Sequence, residues 1–306
     1  MLRSFFMLTV LAAACSQQPA PPAPESEQAG DAATQVKRGP GEILADSMPE
    51  DWRSLNPENL LVFEMERGRV VVALAENLAQ GHTAQIKKLV REGFYDGLSF
   101  YRVIDGFVAQ GGDVFETREV KTAAKAIPAE FDQPLTASMR FRPVDVADGY
   151  AARVGFINSA AVGVDAAGEK VWRLHCAGAM ALARNNEPDT GGTEFYFALQ
   201  PQRYLDRNLT VFGQVVEGME IVQTLRRVSP PETEDDDRGE TIASVRVAAD
   251  LSEQERPDLE ILRTDTQLFA EYVESRRNRP EEFFHFRPNH VDICALTIPV
   301  RPATEE

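Results

Sequence analysis

Side chains able to do covalent or metal chemistry are few and scattered along this 306-residue chain. Three cysteines, Cys15, Cys176 and Cys294, form no CxxC pair, and no HExxH occurs. His82 and His175 stand alone, and His285 and His290 make only a loose pair. His175 precedes Cys176 without a second ligand pair at metal spacing, so a structural place is expected for it. Glu232, Glu234 and Asp235 to Asp237 form an acidic run that reads as a solvated loop, not a Ca²⁺ site. No metal and no cofactor are therefore expected. Arg102 and Gln110 remain, in one apolar stretch. Taken alone, an arginine on a strand is a solvated charge, and Gln110 before Gly111-Gly112 is turn chemistry. Tyr196 is less ordinary. Strand alternation puts Phe195 and Phe197 on one face and Tyr196 on the other, so if the phenylalanines point inward the tyrosine points out.

The elements that must carry these residues are mostly strands. Leu60 to Glu66, Arg67-Gly68 and Arg69 to Leu74 read as a hairpin. Ser99 to Ile104, Gly178 to Arg184, Glu194 to Leu199, Thr210 to Val216 and Ile242 to Val247 read as further strands. Thr83 to Glu92 has Ile86, Leu89 and Val90 at helical spacing, with Thr83 as N-cap and Gly93 as stop. Met219 to Val228 reads as a second helix, stopped by Pro230-Pro231. Many short strands with two helices suggest a mainly β fold, a closed barrel with helices plugging its ends.

The composition narrows the partners. At 43% hydrophobic residues the chain can bury a core. Thirty-two Lys and Arg against 48 Asp and Glu leave a formal net charge of −16, which repels phosphate backbones and argues against nucleic acid. Residues 1–14 read as a signal peptide, with Arg3, an apolar run from Phe5 to Ala14, and small residues before Cys15. That run is too short to span a bilayer as a helix. Cys15 stands where a bacterial lipoprotein would carry its lipid, while Ala12-Ala13-Ala14 also fits ordinary signal cleavage; the expectation is export to the periplasm or cell envelope, with membrane contact only through a lipid on Cys15. Residues 15–40 are rich in Pro, Ala, Gln and Glu and read as a disordered tether.

Phe100-Tyr101-Arg102-Val103-Ile104-Asp105-Gly106-Phe107-Val108-Ala109-Gln110-Gly111-Gly112-Asp113 closely resembles the signature of the cyclophilin-type peptidyl-prolyl isomerases. Gly178 to Arg184, Gly192 to Phe197, Tyr204-Leu205-Asp206 and Val211 to Met219 match further family segments in the family's order. The resemblance covers about 60–136 and 175–250, and implies a closed eight-stranded antiparallel barrel capped by two helices. It implies a catalytic role for Arg102 and a substrate-backbone hydrogen bond from Gln110. It places Phe107, Val108, Tyr196 and Leu205 on the walls of a proline pocket, and Ala183 and Arg184 on the strand beside the substrate. Tyr204 stands where eukaryotic members carry tryptophan, Leu209 where many have histidine, and Glu194 where glutamine is usual. These three complete the expected substrate-binding set.

Two regions lie outside the family core. Residues 137–174 form an insertion with Phe141, Tyr150, Phe156 and Trp172, expected to be ordered because four aromatics need somewhere to pack. Residues 41–59 lead into the isomerase domain at 60–250, and 251–306 form a C-terminal extension expected to pack on the barrel. In the extension Thr264 to Arg277 reads as a helix and Val291 to Leu296 as a strand, and Phe283, Phe284 and Phe286 are anchors if the tail folds back on the barrel, the alternative being a partner-binding surface. Cys176 and Cys294 could pair in an oxidising compartment, although spacing alone does not bring them together. The expected activity is isomerisation of X-Pro bonds of envelope proteins by a monomer acting on proline-containing polypeptides. The alternatives are a non-catalytic module that holds proline segments and a structural envelope lipoprotein.

Overall fold

The computed structural model describes residues 38–75 and 77–303; the expected signal peptide, the lipidation site at Cys15 and nearly all of the tether lie outside them. Eight antiparallel strands close into a barrel. Around it run Ala179–Leu182, Phe195–Ala198, Val108–Gly112, Ser99–Val103, Glu240–Val247, Leu60–Met65, Gly68–Leu74 and Val211–Glu217, which returns to Ala179–Leu182. Strand alternation turns Phe63, Phe100, Phe195, Phe197 and Phe212 inward, where all are fully buried. Their rings meet mostly edge-on or tilted, with Phe63 and Phe195 at 5.5 Å and Phe100 and Phe195 at 5.7 Å between centroids.

Helix Gln80–Arg91 covers the barrel with Ile86, Leu89 and Val90. It starts one turn earlier than the sequence suggested. Thr83 is not its N-cap; it lies inside the helix and donates to the Ala75 carbonyl. The cap comes from far along the chain: the Glu130 carboxylate accepts from the Gly81 and His82 amides. A distant carboxylate leaves no local sequence signal. The second helix, Met219–Thr224, ends before Leu225 and well short of Val228. Val228 instead bridges to Val103 at the barrel wall, which draws the chain out of helical geometry.

The insertion is a second sheet. Strands Gln133–Pro134, Lys170–Arg173, Ala160–Val164, Arg153–Ile157 and Arg142–Val144 lie side by side in that order, so the excursion begins at residue 133 rather than 137. Phe156 and Trp172 are buried and Phe141 is half-buried, whereas Tyr150 is exposed and stacks on Arg203. The extension packs chiefly on this sheet. Helix Gln267–Arg277 sends Phe269 and Tyr272 into one hydrophobic cluster with Phe156, Trp172, Leu174 and Ile293. A disulfide joins Cys176 to Cys294 across that cluster. Strand Leu259–Leu262 pairs with Trp52–Ser54 from the lead-in and with Val300–Pro302, and Leu259 and Ile261 reach the barrel's outer face.

Two expectations for the extension fail. Ile293–Ala295 is a 3-10 turn, not part of a strand, because the Asp292 side chain accepts from the Cys294 amide and starts a turn. Phe283 and Phe286 are 82% and 79% exposed and Phe284 is half-buried, so this trio does not anchor the tail. The anchoring aromatics are Phe269 and Tyr272. Among the described residues no helix is long and apolar enough to cross a membrane, and no group of three His, Cys, Asp or Glu could hold a metal ion.

Candidate active site

The residues singled out from the sequence meet on one outer face of the barrel, and strand register explains how. Arg102 lies opposite Gln110, Gln110 opposite Tyr196, and Tyr196 opposite Ala181. Residues directly opposite in antiparallel strands share a face. One row therefore crosses four strands and gathers side chains up to 94 positions apart in number. A register irregularity between Ser99 and Arg102 adds a local twist to this arrangement. Phe100 and Val103 both enter the core, so the two residues between them, Tyr101 and Arg102, are left on the outside.

The row splits into an apolar hollow and a polar edge. The hollow is built on the small residues Ala179, Ala181 and Ala198, with Val108, Tyr196 and Val211 buried among them. Phe107, Ala183 and Leu209 form its half-buried rim. Alanines on the floor leave room where larger side chains would fill it. At the polar edge, Arg102 Nη1 donates to Gln110 Oε1 at 3.1 Å, and the guanidinium carbon sits 5.3 Å from the Phe107 ring centre. The cation is thus held between an amide and an aromatic face. Gln110 Nε2 donates to the Tyr101 hydroxyl, which donates in turn to Glu194 Oε2.

Tyr196 is fixed from behind. Its hydroxyl lies 3.0 Å from His175 Nε2, and His175 Nδ1 lies 3.0 Å from Asp206 Oδ1. With Asp206 accepting from Nδ1–H, Nε2 is the acceptor for the tyrosine. Burial raises the Tyr196 phenol far above its ordinary pKa, so it keeps its proton as a donor. His175 is completely buried and serves as a structural link, in line with the expectation for it.

The remaining site residues sit around this frame. Leu205 lies half-buried in the turn Arg203–Leu205, and Tyr204 beside it is 56% exposed. Arg184 folds over the rim: Nη2 donates to the Asn208 carbonyl at 2.8 Å and Nη1 to the Asn185 carbonyl at 2.7 Å. A neighbouring cleft of about 350 Å³ is lined by Tyr101, Gln110, Asp113, Arg118, Arg184 and Glu194 among others. Phe107, Val108, Ala183, Tyr196 and Leu209 thus gather at the hollow, Gln110, Arg184 and Glu194 at the adjoining cleft, and Tyr204 and Leu205 in the turn that leads to Leu209. Sequence reading did not single out Tyr101, Asp206, Arg203 or Asp148 as parts of the site. Tyr101 and Asp206 lie inside matched motifs, where their partners could be known only from the fold.

Comparison with known proteins agrees with this geometry. Residues 60–247 match the model of the cyclophilin type peptidyl-prolyl cis-trans isomerase/CLD family. A probable peptidyl-prolyl cis-trans isomerase of Brucella suis is 33% identical over 178 residues, covering 58% of this chain and 76% of the relative. A peptidyl-prolyl cis-trans isomerase of Synechococcus elongatus is 29% identical over 194 residues, covering 62% of this chain and 97% of its own length. The crystal structure of the cyclophilin AquaCyp293 from Hirschia baltica superposes with a TM-score of 0.69 at 30% identity, over 88% of this chain and all of that one. The match to that structure extends beyond the barrel, since the barrel motif alone spans 60–247. With the motif, the closed barrel and the relatives in accord, this chain belongs to the cyclophilin-type peptidyl-prolyl cis-trans isomerases.

Proposed function

We propose that the isomerisation takes place in the hollow between Arg102, Phe107 and Tyr196, and that its substrates are proline-containing segments of envelope proteins. The observation that carries this reading is the lateral row, which sets a held guanidinium at the edge of an apolar hollow. Rotation about an X-Pro bond is opposed by amide resonance, a barrier of about 20 kcal/mol. As the bond twists, resonance is lost and the prolyl nitrogen regains its lone pair. A guanidinium donating toward that nitrogen or the nearby carbonyl stabilises the twisted state over either planar one, and only such a difference speeds the step. The hollow around Tyr196, Val108 and Leu209 holds the ring by burial while the acyl side turns. Gln110 keeps Arg102 from relaxing toward solvent and offers its amide to the substrate backbone. No bond to the protein forms.

The envelope setting is supported by the leader-like residues 1–15 and by the Cys176–Cys294 disulfide, a bond that persists in oxidising compartments. The deciding experiment is exchange NMR on a short X-Pro peptide with the domain from residue 38 onward, beside its Arg102→Ala variant. Accelerated exchange by the wild type and its loss in the variant are expected. Peptide binding without acceleration by the wild type would leave a non-catalytic proline-holding module. For the anchor, Cys15→Ser is expected to move the full chain from the detergent phase to the aqueous phase of a detergent partition, and identical partitioning would remove the anchor.

A further inference from the structure

The polar edge of the groove continues past the residues that face substrate. Arg102 leads to Gln110, Gln110 to Tyr101 and Tyr101 to Glu194, each by a side-chain hydrogen bond. Glutamine can point its amide either way, and the two orientations differ in what they offer Arg102. With Oε1 toward the guanidinium the contact is a hydrogen bond; with Nε2 there, donor faces donor. The last member decides. An ionised Glu194 carboxylate can only accept, so it takes the Tyr101 proton and leaves the tyrosine oxygen to accept from Gln110 Nε2. That order presents Gln110 Oε1 to Arg102. A protonated Glu194 can donate instead, which frees the Tyr101 hydroxyl to turn toward Gln110 and removes the preference for the productive amide.

We propose that Glu194 is a positioning residue for the isomerase, whose ionised carboxylate fixes, through Tyr101, the orientation of Gln110 and hence of Arg102. This deepens the proposed function, since it rests on Arg102 as the group that acts on the substrate.

Several features fit such a role. Glu194 Oε1 is buried and meets no hydrogen-bond donor among the described residues, while Oε2 accepts from Tyr101. The space beside it depends on Gly112, which has φ of +140°; a Cβ there would lie 2.5 Å from Glu194 Oε1 and 3.1 Å from Glu194 Cα. The charged groups around it set its titration. Burial raises the carboxyl most, hydrogen bonding from Tyr101 and Gln110 lowers it, and the negative Asp113 and Glu116 raise it further, to about 7. Tyr95 is a second buried phenol coupled to Glu194, Arg102 lies on the far side of Tyr101, and Arg118, Lys125 and Arg184 line the adjoining cleft. Tyr101 itself is driven well above its ordinary range by burial and by Glu194, so it stays a phenol while Glu194 titrates.

The test follows X-Pro exchange from pH 5.5 to 8.5 alongside the Gln110 side-chain amide resonance, assigned by its loss in Gln110→Ala. In the wild type, kcat/KM is expected to rise by up to roughly tenfold between pH 6 and pH 8, as a carboxyl titrating near neutrality requires. The Gln110 resonance should move over the same range. Glu194→Gln cannot ionise and, like the protonated acid, can donate as well as accept, so it should stay below the wild-type plateau with a flat profile. Tyr101→Phe keeps the ring but cuts the chain, and should sit at the low-pH level throughout, with a stationary Gln110 resonance. His175, which reaches the row through Tyr196, is intact in both variants and serves as the internal control. A Gln110 resonance that does not titrate in the wild type, or that titrates unchanged in Tyr101→Phe, overturns the proposal. Titration without turnover would keep the relay and remove the isomerase site; turnover without titration would do the reverse.

Discussion

Asp148 receives two parallel hydrogen bonds from the Arg203 guanidinium, at 2.8 and 2.9 Å, and joins the inserted region to the turn Arg203–Leu205 beside the apolar hollow. Arg203 Nε also donates to Asp206 at 2.6 Å, and Asp206 leads through His175 to Tyr196. Both partners of the Asp148–Arg203 pair have side chains only 7% exposed. Removing Arg203 leaves Asp148 and Asp206 buried without their shared cation, so Arg203→Ala should cost about 3–5 kcal/mol in chemical denaturation. A loss under about 1 kcal/mol, the level of an exposed pair, would mean that the pair is solvated.

The same pair gives an acid dependence. Burial acts to raise the Asp148 carboxyl, but the Arg203 guanidinium and the Tyr150 and Ala151 amides outweigh it, leaving its pKa below the ordinary value. A group whose folded pKa is lowered contributes fully above its unfolded value, near 3.9, and loses that contribution as pH falls through the folded one. Asp148→Asn should therefore be clearly less stable than wild type at pH 7, and the gap should narrow below about pH 4. Melting curves for both proteins at pH 7 and pH 3 measure it, and a constant gap would contradict the assignment.

Arg102→Ala removes the guanidinium and leaves the alanine-floored hollow in place. By analogy with deleting one preorganised donor, turnover should fall roughly 10²–10³-fold, about 2.7–4 kcal/mol. Peptide affinity should change far less, because burial of the ring supplies most of it. Arg102→Lys should recover little, since an ammonium lacks the planar fork that meets Gln110 and lies over Phe107. A folded Arg102→Ala protein with near-wild-type turnover would end the catalytic assignment.

Tyr196→Phe tests the support behind the hollow. The ring stays, but buried His175 loses its partner at Nε2, and an unmet buried polar atom costs about 1–3 kcal/mol. Stability should drop by that amount while the KM for an X-Pro peptide moves little. A large rise in KM at unchanged stability would mean that the hydroxyl itself meets the substrate.

For the extension, burial separates its aromatics. Phe269→Ala should destabilise by about 3–5 kcal/mol, while Phe283→Ser and Phe286→Ser should leave the melting temperature where it was. The Cys176–Cys294 bond closes a long loop, with a sequence separation of 118, and Cys294→Ser should cost about 2–5 kcal/mol. Equal melting temperatures for wild type and Cys294→Ser would show that the hydrophobic cluster alone holds the extension.

Much of the site could be read before any fold was known. The segment from Phe100 to Asp113 carries two pocket residues and both polar ones, because a strand pair joined by a short turn keeps them close in sequence. The inward phenylalanines made the outward Tyr196 predictable from period-two alternation alone. The helix from Gln80 was visible through Ile86, Leu89 and Val90, although its start was misplaced, since Glu130 caps it from 50 residues away.

What tertiary structure alone decided are relationships between segments that share no local pattern. Nothing in the run of residues says that Arg102, Gln110, Tyr196 and Ala181 fall in one register row, because register depends on how a closed barrel aligns strands with its turns and irregularities. Nor does hydrophobicity say which aromatics a loop will bury. Phe269 lies on a helix face pressed against Phe156, whereas Phe283 and Phe286 follow the helix in a segment with no such surface opposite. The links Glu194–Tyr101 and Asp148–Arg203 have the same character. Sequence determined that these groups are charged or polar, and only the folding of distant chain segments into one low-dielectric space made them partners.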